Sequence, residues 1–414
     1  MGIILSRVGR KGKKEKAAAR EQEKKVEQLC EMFPMLDKET LASVLDANEG
    51  DIDKTMEMFM PINPATKEEH QKRPASASGA AGAAPSVHIE QLMTWACSTS
   101  VDMQYQAVRS LADLAMNEDQ RVIILRAGAA KHIVTLLGAE KHEVQLCALI
   151  AVANLALDDE GQTILNREGA IKPVVLLASS PHVSAQCHAA RAIANLAFCF
   201  EANEVDIVEC GGIAPLLLLA ESSDIHTQQE AVAALANLAR NPSNQHKMVE
   251  CGALRMLSSL IRAKDPELLR QVARCLANVS LNKDNEAQLV ASNIGADLIN
   301  LVSKEDNEEI KRLATMALAN LAAYDSMQVQ LVSDGVLSPL NDMLRSGKED
   351  MELQAARCVA SLSQHEHNKA AIAREVGVAN FIQLARHRSV DHQICAATCL
   401  ANLSTVRGIS ASWS

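Results

Sequence analysis

The chain repeats itself every 41 or 42 residues. The tetrad Ala194-Asn195-Leu196-Ala197 returns as Ala153-Asn154-Leu155-Ala156, Ala236-Asn237-Leu238-Ala239, Ala277-Asn278-Val279-Ser280, Ala319-Asn320-Leu321-Ala322 and Ala401-Asn402-Leu403-Ser404. Looser copies, Ala112-Asp113-Leu114-Ala115 and Ala360-Ser361-Leu362-Ser363, complete the series. Gly128, Gly169, Gly211, Gly252, Gly295, Gly335 and Gly377 mark a second series on nearly the same beat. Two markers sharing a period near 40 residues, in a helix-forming sequence, describe stacked helical units in which each unit contacts only its neighbours. Aromatic residues make up only 2% of the chain. That scarcity fits closely stacked helices and argues against a sandwich or barrel.

One unit, 158–197, shows the plan. A short polar helix leads to Gly169, expected at a sharp turn. A second helix carries Ile171, Val174, Val175, Leu176 and Leu177, with Pro173 tolerated in its first turn. A third runs from about Val183 to Ala197. Pro215 and Pro339 occupy the matching second-helix position in two other units. Three helices, a glycine turn and an Ala-Asn-Leu-Ala close resemble the armadillo repeat over residues 88–405. The resemblance implies an all-α fold, a right-handed solenoid of about eight repeats occupying residues 87–405. The first repeat lacks its first helix, with Trp95 placed to seal that end. The last repeat is followed only by a tail, 406–414, so its outer face needs that tail, a partner or a second copy to cover it.

In armadillo proteins the third helices line a concave groove. Taking the asparagine position as reference, the residues four and seven places before it share its helix face. The position four before reads Arg109, Ile150, Arg191, Ala233, Arg274, Met316, Arg357, Thr398, so arginine alternates with apolar or small residues. Asparagine offers both a donor and an acceptor for a ligand backbone, and arginine selects carboxylates. The candidate groove residues are therefore Arg109, Asn154, Arg191, Asn195, Asn237, Arg274, Asn278, Asn320, Arg357 and Asn402. Helices roughly 10 Å apart and an extended ligand rising about 3.3 Å per residue put neighbouring arginines about six ligand residues apart. The expected partners are proteins presenting extended acidic and apolar peptides. A second reading has these arginines pairing with groove acids such as Asp113 and Glu230.

Importin-α carries tryptophan at the position four before most of these asparagines; this chain has none there, which argues against classical nuclear import cargo. A positively charged groove is similar to that of beta-catenin and of the myristoylated yeast vacuolar armadillo adaptor. The chain departs from the latter in lacking N-terminal palmitoylation cysteines and in having fewer repeats.

The formal charge of −10 is unevenly spread. Within 7–20, Arg7, Arg10, Lys11, Lys13, Lys14, Lys16 and Arg20 face one acid, Glu15, a local +6 that leaves −16 for the rest. So acidic a body argues against a nucleic-acid partner. The opening Met1-Gly2-Ile3-Ile4-Leu5-Ser6 matches the pattern for myristoylation at Gly2. A basic segment is one of the second signals that make such an anchor stable, so 1–20 is read as an arm for an anionic membrane surface. A solvated basic leader and a nuclear localisation signal stand beside that reading.

Residues 21–62 offer three short helical segments. The first ends at Met32-Phe33-Pro34, the second follows Asp37 as N-cap, and the third carries Ile52, Met56, Phe59 and Met60 at helical spacing. This resembles a CUE domain, a three-helix ubiquitin-binding fold marked by Met-Phe-Pro and a di-leucine. Phe59-Met60 stands where the di-leucine would be. The resemblance implies ubiquitin contacts through Met32, Phe33, Pro34, Phe59 and Met60. Residues 63–86, rich in Ala, Ser, Gly and Pro, read as a disordered linker.

No catalytic motif stands outside the repeat pattern, and no cofactor or metal is implied. His365 and His367 fall in an inter-repeat loop and read as solvated. The eleven cysteines lack any C-x-x-C pair and read as reduced thiols of a cytosolic protein. No apolar run reaches membrane-span length, and Ile3-Ile4-Leu5 is too short for a signal peptide. The expected function is a non-enzymatic adaptor, cytoplasmic and tethered to a membrane such as the vacuolar or plasma membrane. The alternative is a soluble ubiquitin-binding receptor that recruits clients through the groove. A small-GTPase regulator is a third class, with no residue pointing to it specifically.

Overall fold

The computed structural model describes residues 24–26, 45 and 84–405. Gly2, the CUE-like marks Met32, Phe33, Pro34, Phe59 and Met60, and the tail 406–414 lie outside the described residues. Every regular element among the described residues is helical, and none is long and apolar enough to cross a membrane.

The described residues divide between two compact units at Asp113 and Leu114. The first holds helix Ala84–Ala96 and nearly all of helix Val101–Leu114. Helix Ala84–Ala96 begins within the last three residues assigned to the linker. Ile89, Leu92, Val108 and Leu111 are buried, and Trp95 is half-buried.

The second unit is built of the predicted triplets. In one repeat these are Asp159–Arg167, Ile171–Leu177 and Val183–Leu196. The third helices His142–Leu155, Val183–Leu196, Ile225–Leu238, Pro266–Val279, Glu308–Leu321, Glu349–Leu362 and Val390–Leu403 are each 14 residues long, and each packs on the next. Alanine makes this stacking close: Ala189, Ala190, Ala231, Ala273, Ala314 and Ala355 are wholly or almost wholly buried between third helices. Three consecutive third helices start with Asx caps, in which Asp224, Asp265 and Asn307 accept the amide N–H of Thr227, Leu268 and Ile310. Such caps are worth about 1 kcal/mol each.

Six of the seven marker glycines hold the turn between first and second helices in the left-handed region, with φ from 79° to 98°. Gly295 does not. It lies inside helix Ile294–Lys304, where an added Cβ would stand 2.9 Å from Leu331 Cδ2, so there it serves close packing. The turn of that repeat is made by Asn293 at φ 55°, one of the few non-glycine residue types that tolerate this conformation. Asn293, at 41 residues from Gly252 and 42 from Gly335, is the residue that keeps the beat. At the other end of the stack the last third helix leaves Val390 64% and Ile394 57% exposed.

Candidate functional site

On every third helix of the second unit, the position four before the asparagine position is at least partly open. Ile150, Arg191, Ala233, Arg274, Met316 and Thr398 are half-buried and Arg357 is exposed. Because successive third helices pack together, these side chains make one strip along the stack, alternating apolar or small with arginine.

The asparagines lie in the seams between repeats. Asn195 Nδ2 donates to the carbonyl of Ala153 at 2.8 Å, Asn237 to Ala194 at 2.7 Å, Asn278 to Ala236 at 3.0 Å and Asn320 to Ala277 at 2.9 Å. Each acceptor in these four pairs is the residue just before the preceding repeat's asparagine. Asn402 continues the series to Ser363 Oγ at 2.9 Å, the serine that closes the preceding tetrad, as Asn320 also reaches Ser280 Oγ at 3.1 Å. Asn237 and Asn320 are buried, while Asn154, Asn195, Asn278 and Asn402 are half-buried. These amide bonds therefore lock helix to helix, and only the half-buried members of the series keep part of their surface open.

The arginines differ sharply from one another. Arg191 Nε sits 2.7 Å from Glu230 Oε1 on the next third helix, so its charge is already matched, as the second reading of the sequence had it. Arg109, in the first unit, lies with Cζ 6.0 Å from the centre of the Tyr105 ring. Arg357 reaches Gln354 Oε1 at 3.4 Å.

Arg274 has no carboxylate in ion-pair range among the described residues. Its Nη2 makes one long bond, 3.4 Å, to the Ala233 carbonyl, and its Nε is buried with no acceptor. Burial, followed by repulsion from Arg270 and Arg240, pushes the guanidinium below the usual arginine range. An arginine in a protein stays protonated all the same, so the shift marks a cation whose hydration is partly lost on this half-buried face. Two acceptors close to it in sequence and on the adjacent helix, Gln271 Oε1 and Asn237 Oδ1, are also buried without a donor.

Reasoning from sequence missed a second ladder on the same beat. Asn203 donates to Leu196 O, Asn244 to Leu238 O and Glu204 O, Asn285 to Val279 O and Gln245 O, and Asn368 to Leu362 O and Gln328 O. These amides satisfy the terminal carbonyls of the third helices, which no intrahelical donor reaches. Asn203, Asn244 and Asn285 recur every 41 residues, a signal visible in the sequence. His365, read as a loop residue, is the N-cap of helix Glu366–Glu375, its Nδ1 accepting the amide N–H of His367.

Comparisons with known proteins agree with this geometry. The CUE domain profile matches residues 22–60, and the armadillo/beta-catenin-like repeat profile matches 158–198, 201–240 and 241–281. No curated protein matches the sequence. Among solved structures, an engineered protein from a structural genomics consortium is similar at 28% identity and a TM-score of 0.76, over 92% of this chain and 89% of that one. A designed armadillo repeat protein is similar at 27% identity and a TM-score of 0.54, over 56% of this chain and 99% of its own. Another, solved in complex with the peptide (KR)4, is similar at 27% identity and a TM-score of 0.53, again over 56% and 99%. The chain is built of armadillo repeats, with a CUE domain at its N-terminus.

Proposed function

We propose that the protein is a non-catalytic adaptor that holds extended peptides with acidic residues along the third-helix strip. The observation that carries this reading is Arg274, a half-buried guanidinium with no carboxylate in ion-pair range among the described residues and with its Nε buried without an acceptor. Folding gains little from such a group, since a buried donor left without an acceptor is unfavourable. A carboxylate arriving from a ligand supplies what is missing, through paired N–H···O bonds. The designed relative in complex with (KR)4 supports an extended ligand for this architecture. With arginines in the strip, charge complementarity asks for a ligand of opposite sign, and Ala233 and Met316 on either side of Arg274 ask for small or apolar ligand residues between the acids. Replacing Arg274 by Glu tests the reading directly: peptide capture is lost while the fold is kept.

The same proposal gives the N-terminal parts their roles. The CUE match, with Met32-Phe33-Pro34 intact, supports ubiquitin as a partner, with Phe33 and the Phe59-Met60 pair as contacts. A ubiquitin pulldown with Phe33→Ala as control tests it. Acylation of Gly2, assisted by the basic arm, would tether the adaptor to an anionic membrane, as in the resemblance to the yeast vacuolar protein. Imaging of Gly2→Ala separates the tethered adaptor, which redistributes to the cytosol, from a soluble ubiquitin receptor, which does not.

A further inference from the structure

Away from the strip, the last two repeats bring together three groups able to bind a metal. One ring nitrogen of His387, one of His392 and a carboxylate oxygen of Glu349 all lie within 4.8 Å of one another. Glu349 opens the third helix of the penultimate repeat. His392 lies in the first turn of the last third helix, and His387 in the connection just before it.

His392 is only 1% exposed, and its Nε2 bonds to the backbone carbonyl of Glu349 at 3.1 Å. A carbonyl can only accept, so the ring proton is on Nε2 and Nδ1 carries the lone pair. That Nδ1 is buried and has no donor. Leaving such an acceptor unmet is unfavourable, whereas a histidine that donates one N–H to a backbone carbonyl and turns the other nitrogen outward is prepared as a metal ligand. The His387 and His392 ring centres are 4.0 Å apart, and His387 Nε2 is 4.0 Å from Glu349 Oε1.

We propose that Glu349, His387 and His392 form a zinc-type metal site that ties the last repeat to the one before it. Two imidazoles and a carboxylate suit Zn²⁺ or its neighbours Co²⁺, Ni²⁺ and Cu²⁺ rather than Ca²⁺ or Mg²⁺, with a fourth position left for water or a partner's donor. Tetrahedral bonds near 2.0 Å place ligand atoms roughly 3.3 Å apart, so the donors must draw in. Glu349 is exposed and His387 half-buried in a connection, which gives both room to move while His392 stays fixed. His387 Nδ1 accepts the amide N–H of Ser389 at 3.1 Å. Binding through Nε2 moves the His387 proton to Nδ1 and gives up the contact with the Ser389 amide. Cys395 and Cys399, on the same helix as His392, are not members of the cluster, so the donor set is nitrogen and oxygen. A metal here would fasten the repeat that ends the described stack, whose outer face carries the exposed Val390 and Ile394.

Titration of the full chain with Co²⁺, followed by Zn²⁺ displacement, reads the site without relying on any activity. The expected result is visible bands of a tetrahedral nitrogen and oxygen site without the near-ultraviolet charge transfer of sulfur ligation, together with a rise in melting temperature on adding Zn²⁺. Glu349→Gln and His387→Gln, both at accessible positions that leave the core intact, should each weaken binding about tenfold or more, because losing a ligand costs at least as much as losing its supporting partner. Absence of the bands, bands with sulfur charge transfer, or affinity and melting temperature unchanged in both variants would overturn the proposal.

Discussion

Asn237 reaches across a repeat boundary to donate its Nδ2 hydrogen to the carbonyl oxygen of Ala194, 2.7 Å away. With 4% of its surface exposed, its role in folding is separable from any role in binding. Asn237→Ala leaves that carbonyl unmet inside the stack, at a cost of about 1–3 kcal/mol. Asn237→Asp should cost more, since a carboxylate cannot donate to a carbonyl. Denaturant midpoints for the two variants, with hydrogen exchange locating the loosened repeats, check the order.

The turns give a paired prediction. Gly252 sits at φ 98°, with no atom within 4 Å of where a Cβ would be. Gly252→Ala therefore meets no clash and still destabilises, by about 1 kcal/mol, because an L side chain is strained in that conformation. Asn293→Gly, at the equivalent turn, should be neutral or slightly stabilising. Gly295→Ala should destabilise for a different reason, the approach to Leu331. Thermal unfolding of the three variants distinguishes conformation from crowding.

Glu204 is 4% exposed, and burial pushes its carboxyl above the usual carboxylate value of 4.5, with Arg240 opposing the shift. A carboxyl with a raised folded value holds its proton more tightly in the folded state. Its contribution is thus fully present below the ordinary carboxylate value and is lost as pH rises through the raised one. Glu204→Gln should raise the melting temperature at pH 7, and the gain should shrink as the pH falls toward about 4. Melting curves across that range check the sign.

Much of the architecture was legible because repetition magnifies weak signals. The period located all the third helices, and helical spacing identified the open row that includes Arg191, Arg274 and Arg357. The direction of the asparagine bonds was not legible, since an amide offers both a donor and an acceptor and sequence does not say which neighbour it meets. Glycine counting misplaced one turn, because Asn293 can adopt the conformation that glycine usually supplies. The match between Arg191 and Glu230 was foreseen as an alternative, yet only coordinates could separate that neutralised arginine from Arg274, which stands at the same register two repeats on. The cluster of Glu349, His387 and His392 was invisible because its members come from two repeats and no short motif joins them.

The central claim is that Arg274 is kept for a ligand and not for the fold, and Arg274→Met measured for both stability and binding tests it most directly. The probe is a labelled peptide with glutamates about six residues apart and apolar residues between them, followed by fluorescence anisotropy. The expected result is a melting temperature unchanged or raised, since a buried donor without an acceptor has been removed, and affinity for the peptide lowered about tenfold or more. Arg191→Met, which removes an arginine already matched by Glu230, should weaken binding far less. A variant that melts lower and still binds as the parent does, or a parent that does not bind the peptide at all, would contradict it.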